Sequence, residues 1–170
     1  YYGIYEVYDL PAGIRAMVHG TTLHGVQFND PQKKMIPLGY YSPISAIGTL
    51  LINNSFNPSR IAVVGQGTGA LAMYVKPTCP IDFYELDPDV DALSRKYFSY
   101  LNLAPGPVNT IIGDARVSLE KVPDQSYDLL IIDAFGGDAI PTHLVNKDVV
   151  QKYQKLLKDR GAIVFHITNR

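Results

Sequence analysis

Past residue 60 the chain settles into short apolar runs alternating with amphipathic stretches, and this alternation constrains the fold more than anything else in the sequence. Ile61-Ala62-Val63-Val64, Ile81–Leu86, Val108–Ile112, Tyr127–Ile132 and Ala162–Ile167 read as five strands. The first is apolar at every position, as a strand covered on both faces requires. Between the strands lie a short helix at Ala70–Tyr74, a helix opened by Asp87-Pro88 with Asp as N-cap and Pro in the first turn, and a helix Lys147–Lys158 ended by Gly161. The stripe Val90, Leu93, Tyr97 and Leu101 and the set Val149, Val150, Tyr153, Leu156 and Leu157 are expected to face inward. Alternating strands and helices predict an α/β chain with a doubly wound, mainly parallel sheet.

The first part of the chain differs. Residues 3–28 are rich in Tyr, Val, Ile and Thr, with turn signals at Pro11-Ala12-Gly13 and His19-Gly20, and predict two or three antiparallel strands. Pro43 precedes a helical pattern over residues 44–54. The expected division is therefore a β-strand segment over residues 1–43 and a Rossmann-like nucleoside-binding domain over residues 44–170.

Composition removes several functions. Fifteen basic and sixteen acidic residues give a net charge of −1, which excludes binding to nucleic acid through gross positive charge. Cys79 is the only cysteine, so neither an intrachain disulfide nor a thiolate zinc cluster can form. The four histidines lack metal-ligand spacing, and no metal site is expected; His166 is expected to be packed within the last strand. No apolar run approaches the roughly 20 residues that cross a bilayer, and the first residues are not a signal peptide. The expected setting of this segment is cytoplasmic, with no membrane contact.

In doubly wound sheets, ligands bind beyond the carboxyl ends of the strands. After the first strand comes Gly65-Gln66-Gly67-Thr68-Gly69-Ala70, whose glycines let the backbone turn tightly and approach a ligand. Glu85 follows the first glycine by 85 − 65 = 20 residues, the distance at which an acid accepts hydrogen bonds from ribose hydroxyls. After the third strand, Asp114 is placed to take an adenine amino group, with the ring against Ala115, or merely to cap a helix. After the fourth, Asp133 and Asp138 share a glycine-containing loop with no partner cation in it. That pair suggests a cationic ligand, or one carboxylate acting as a base. A nicotinamide dinucleotide would suit the glycines and Glu85, but leaves Asp114 and the two loop aspartates unexplained. A degenerate domain that binds a nucleoside or nothing is the non-enzymatic alternative.

Taken in order, these stations resemble the enzymes that bind S-adenosylmethionine on a doubly wound sheet. Within that class the chain resembles the spermidine synthase family of polyamine aminopropyltransferases, in its bacterial synthase-like form. The likeness runs through Gly20–Gln27, Pro37-Leu38-Gly39-Tyr40-Tyr41, and Tyr127-Asp128 with Asp133, Asp138, Tyr153, Leu157 and Gly161. It implies a methyltransferase fold behind a small β segment, with further C-terminal strands in family members. It also implies that some relatives carry a membrane-spanning part, and that the protein is a homodimer. The implied reaction moves an aminopropyl group from decarboxylated S-adenosylmethionine to putrescine or a similar amine. Gly65, Gln66, Gly67, Gly69, Glu85, Asp114 and Ala115 would hold the donor. Asp133 would be the base, Asp138 would hold the far ammonium, and Tyr41 would line the amine pocket. Thr68 stands where the family usually has an aspartate that attracts the aminopropyl end. A neutral residue there removes that attraction, and equally a repulsion against ordinary S-adenosylmethionine, which leaves methyl transfer as the alternative.

Overall fold

The computed structural model describes residues 4–53, 56–134 and 141–167. Strands β1 (Tyr5–Leu10), β2 (Ile14–His19) and β3 (Thr22–Phe28) form an antiparallel meander in that order. Gly13 and Gly20 turn its corners with positive φ, where a side chain would be strained. The second sheet is parallel: β4 (Ile61–Val64), β5 (Ile81–Glu85), β6 (Val108–Ile112), β7 (Tyr127–Ile132) and β8 (Leu157–Phe165), in the order β6-β5-β4-β7-β8. Strand order reverses between β4 and β7, which places a crevice at their carboxyl ends.

Both faces of this sheet are covered. Alternate residues Ile61, Val63, Phe83, Leu129 and Ile131 pack with Leu71, Val75 and the apolar side of α1 (Ala46–Ile52). The intervening Ala62, Val64, Tyr84, Leu130 and Ile132 pack against α3 (Ala115–Glu120) and α4 (Lys147–Leu156) through Leu119, Tyr153 and Leu156. This two-sided burial is why β4 and β7 are almost wholly apolar. The small sheet packs its buried Met17 on Val90 and Phe98, in and just after α2 (Pro88–Tyr97). Polar ties reinforce the contact. The Tyr100 hydroxyl donates to the carbonyls of Val26 and Ile36 at 3.0 and 3.2 Å, and the Ser99 amide donates to Gln27 Oε1 at 3.1 Å.

The short helix expected at Ala70–Tyr74 is present as a 3₁₀ helix. Three local expectations need correction. Helix α2 stops at Tyr97, so Leu101 lies beyond it and packs in the cluster that holds Leu71 and Phe83. The buried positions of α2 are Val90 and Ser94, because the Ser94 hydroxyl donates to the Gly67 carbonyl at 2.5 Å. Helix α4 ends at Leu156, not at Gly161. Leu157 is already extended and pairs with Tyr127, and a bulge separates it from the pairing of Ala162 with Leu129. The last strand thus spans Leu157–Phe165, and His166 follows it instead of lying within it.

Candidate active site

A cavity of about 590 Å³ opens at the carboxyl ends of β4, β5 and β7 and is closed on one side by the small sheet. That volume lies in the range of sites for small organic ligands. Gly65 and Gly67 line it with φ of 95° and 52°, and close packing requires both. A Cβ on Gly65 would run into the Asp133 carbonyl, and one on Gly67 into the His24 carbonyl. Gly69 does not line the cavity, because it turns the chain away over Leu101.

Gln66 lines the cavity and is held from two sides. Its amide donates to Glu85 Oε2 at 2.9 Å, and its Oε1 accepts from the Thr110 hydroxyl at 2.7 Å. Glu85 ends β5 at 8% exposure, and its other oxygen accepts from the Asp87 amide at 3.0 Å. Burial pushes its carboxyl above the ordinary glutamate range, while those two amide bonds pull against the shift. Asp114 lines the cavity and also caps α3, accepting from the Arg116 amide at 2.9 Å. Its ion pair with Arg116, at 2.7 Å, holds its carboxyl below the usual range. The capping role expected of Asp114 is therefore present, at a residue that also lines the cavity. Ala115 sits beside it in the cavity wall.

Asp133 follows β7, fixed by its amide donating to the Val64 carbonyl at 2.8 Å. Its carboxylate, 5% exposed, accepts the Tyr41 hydroxyl at 2.6 Å on one oxygen. The other oxygen lies 2.6 Å from His166 Nδ1. Burial, then the neighbouring Asp133, raises the Tyr41 hydroxyl well above the ordinary tyrosine value, so it stays a donor. Asp133 thus draws its hydrogen-bond partners from two distant segments of the chain. Asp138 lies outside the described residues.

His166 is the residue that sequence reading missed. It sits just after β8, a strand-end position like the others, but placing the strand through Ile167 hid it. The small sheet adds Tyr5, His19 and His24 to the opposite wall, with Tyr5 4.9 Å from His19 and 5.4 Å from His24 between ring centres. Burial, with His19 adding, pushes the His24 imidazole down to about 4. Thr68, by contrast, does not line the cavity. It is 1% exposed against Gly25, and its hydroxyl has no hydrogen-bond partner among the described residues. No group of three metal-ligating side chains occurs among the described residues. Nor is any described helix long and apolar enough to cross a membrane.

No protein-family model matches the chain. Individual proteins do. The polyamine aminopropyltransferase of Vibrio vulnificus is 31% identical over 150 residues, covering 85% of this chain and 48% of that protein. A probable spermidine synthase from Corynebacterium glutamicum superposes with a TM-score of 0.78 at 21% identity, over 95% of this chain and 59% of that one. Human methyltransferase-like protein 13, solved in complex with SAH, superposes with a TM-score of 0.56 at 21% identity, over 68% of this chain and 59% of that one. The sheet order, the glycine turn after β4 and the acid closing β5 define an S-adenosylmethionine-dependent methyltransferase-like fold behind a small antiparallel sheet. Within that class, the chain is a homologue of the polyamine aminopropyltransferases, the spermidine synthase family. It spans about half the length of the aminopropyltransferase it matches.

Proposed function

We propose that this chain is the nucleoside-binding core of an aminopropyltransferase, which moves an aminopropyl group from decarboxylated S-adenosylmethionine to putrescine or a similar amine. The observation that carries the reading is the gripped carboxylate of Asp133 at the crevice, facing the same cavity as Gly65 and Glu85. The name of the Vibrio vulnificus relative supports the same chemistry. Gly65, Gln66 and Gly67 lie along the donor, Glu85 accepts from its ribose hydroxyls, and Asp114 with Ala115 meets its adenine. Gly69 shapes the loop from behind.

The sulfonium is a good leaving group, so the residues mainly align nitrogen, carbon and sulfur for direct displacement. The attacking nitrogen must also lose a proton, since an ammonium has no lone pair. Asp133 receives that nitrogen, Tyr41 fixes the carboxylate, and Asp138 holds the far ammonium of a diamine.

The test is an assay of the full-length protein with decarboxylated and ordinary S-adenosylmethionine, each with and without putrescine. An aminopropylated amine from the decarboxylated donor is expected. Methyl transfer from the ordinary donor with no aminopropyl product would replace the proposal with the methyltransferase reading. One observation favours that second reading: the position usually held by an aspartate is Thr68, turned into Gly25 and out of the cavity.

A further inference from the structure

We propose that His166 takes up the proton which the attacking amine gives up, with Asp133 orienting the imidazole; this rests on the aminopropyl-transfer reading above. His166 lines the same cavity as the glycine turn and Glu85. Its amide donates to the Ile132 carbonyl at 2.9 Å, which sets the residue beside the end of β7, next to Asp133. Nδ1 lies 2.6 Å from Asp133 Oδ1, a separation that requires a proton between a ring nitrogen and a carboxylate oxygen. A neutral imidazole with that proton on Nδ1 carries its lone pair on Nε2.

The second carboxylate oxygen is engaged by the Tyr41 hydroxyl at 2.6 Å. Each oxygen of Asp133, a side chain 5% exposed, already accepts a short hydrogen bond, so a proton taken there would have to share an occupied oxygen. The imidazole gains a proton with both bonds intact and becomes a cation beside an anion. Among the described residues, the ring is faced by Asp133 from the end of β7 and by Tyr40 and Tyr41, whose rings lie 5.2 and 5.9 Å away. His143 lines the same cavity.

The step balances. One N–H bond of the ammonium breaks and its proton passes to the imidazole. The freed lone pair forms the new N–C bond, and the C–S bond breaks with its electron pair left on sulfur. Two positive charges enter, on ammonium and sulfonium, and two leave, on the alkylated ammonium and the imidazolium.

The experiment compares wild-type full-length protein with His166→Asn, using decarboxylated S-adenosylmethionine and putrescine from pH 7 to 10. Asparagine keeps a side-chain N–H for Asp133 but cannot take a proton. At pH 7.5 kcat is expected to fall by about 10²–10³-fold, within the usual contribution of a positioned base. KM and the dissociation constant for methylthioadenosine should stay within about twofold of wild type on the same argument. The deficit should shrink as pH rises, because more of the amine then arrives unprotonated. Wild-type kcat in the variant, or a deficit that stays flat across the pH range, overturns the proposal while leaving aminopropyl transfer standing. No aminopropyl product from the wild type overturns the functional reading and this proposal with it. His166→Gln serves as the same test if the asparagine variant does not fold.

Discussion

At the scale of single residues, the acids and glycines after the strands were legible because a strand end in a parallel sheet is a predictable place. What each side chain does there was less so. Glu85 shows the difference. Both its oxygens already accept backbone amides, so it shapes the glycine turn as well as facing the cavity. Glu85→Gln swaps one acceptor for a donor that confronts an amide. Its affinity for methylthioadenosine, measured by calorimetry, should fall about tenfold or more, as the loss of a charge-assisted hydrogen bond implies. Unchanged affinity would mean that the carboxylate serves the loop alone. Thr68 shows the same limit, since the direction of a loop side chain is set by what packs on it, here Gly25 from another sheet. Its buried hydroxyl has no hydrogen-bond partner among the described residues, so Thr68→Val should leave stability unchanged or raise it by about 1 kcal/mol. Thr68→Asp should destabilise by several kcal/mol by burying an unpaired charge. Urea unfolding of both variants checks this, and a stable aspartate variant would show that the side chain can turn into the cavity.

Among the elements, the core strands were plain in the sequence because burial on both faces leaves an unbroken apolar run. The junction of α4 and β8 was not. Leu156 and Leu157 are apolar whichever way the chain goes, and pairing with Tyr127, a residue thirty positions earlier, decides that Leu157 is strand. The other end of the same strand concealed His166, because the expected strand ran through Ile167 and the observed one stops at Phe165. The small sheet was legible as strands, but not its role as a cavity wall, because no local pattern reports which sheet will face which. His24 makes the wall testable. Its imidazole, pushed down to about 4 by burial, is neutral in the fold at pH 7. The folded value lies below the unfolded one of about 6.5. Stability is therefore complete above pH 6.5 and is lost as pH falls towards 4, by up to about 1.4 kcal/mol per pH unit. Replacing His24 with Gln should flatten that part of the unfolding profile. Urea midpoints at pH 7.5 and 5 for both proteins measure it, and an equal loss in the two would place the proton uptake elsewhere.

For the whole molecule, the same topology that creates the crevice leaves strands with one free side, and association belongs to this scale. The amides of β4 and β7 are paired on both sides and buried, so they should exchange with solvent only when the protein unfolds. Strand β1 differs. Among the described residues it pairs only with β2, and Tyr8 and Leu10 beside its open edge are 43% and 39% exposed, with Ile4 more so. An open edge flanked by large apolar side chains is a template for pairing with another strand. We propose that two copies pair through β1, giving the homodimer expected of the family. Light scattering should then report twice the protomer mass. In hydrogen exchange, the outward β1 amides should become protected as protein concentration rises, while those of β4 stay unchanged. A substitution that interrupts the edge, Tyr8→Pro, should return the monomer without altering the affinity for methylthioadenosine, because Tyr8 lies outside the cavity. A dimer whose β1 amides exchange at the same rate at every concentration would put the contact on another face, with the edge of β6 next to test.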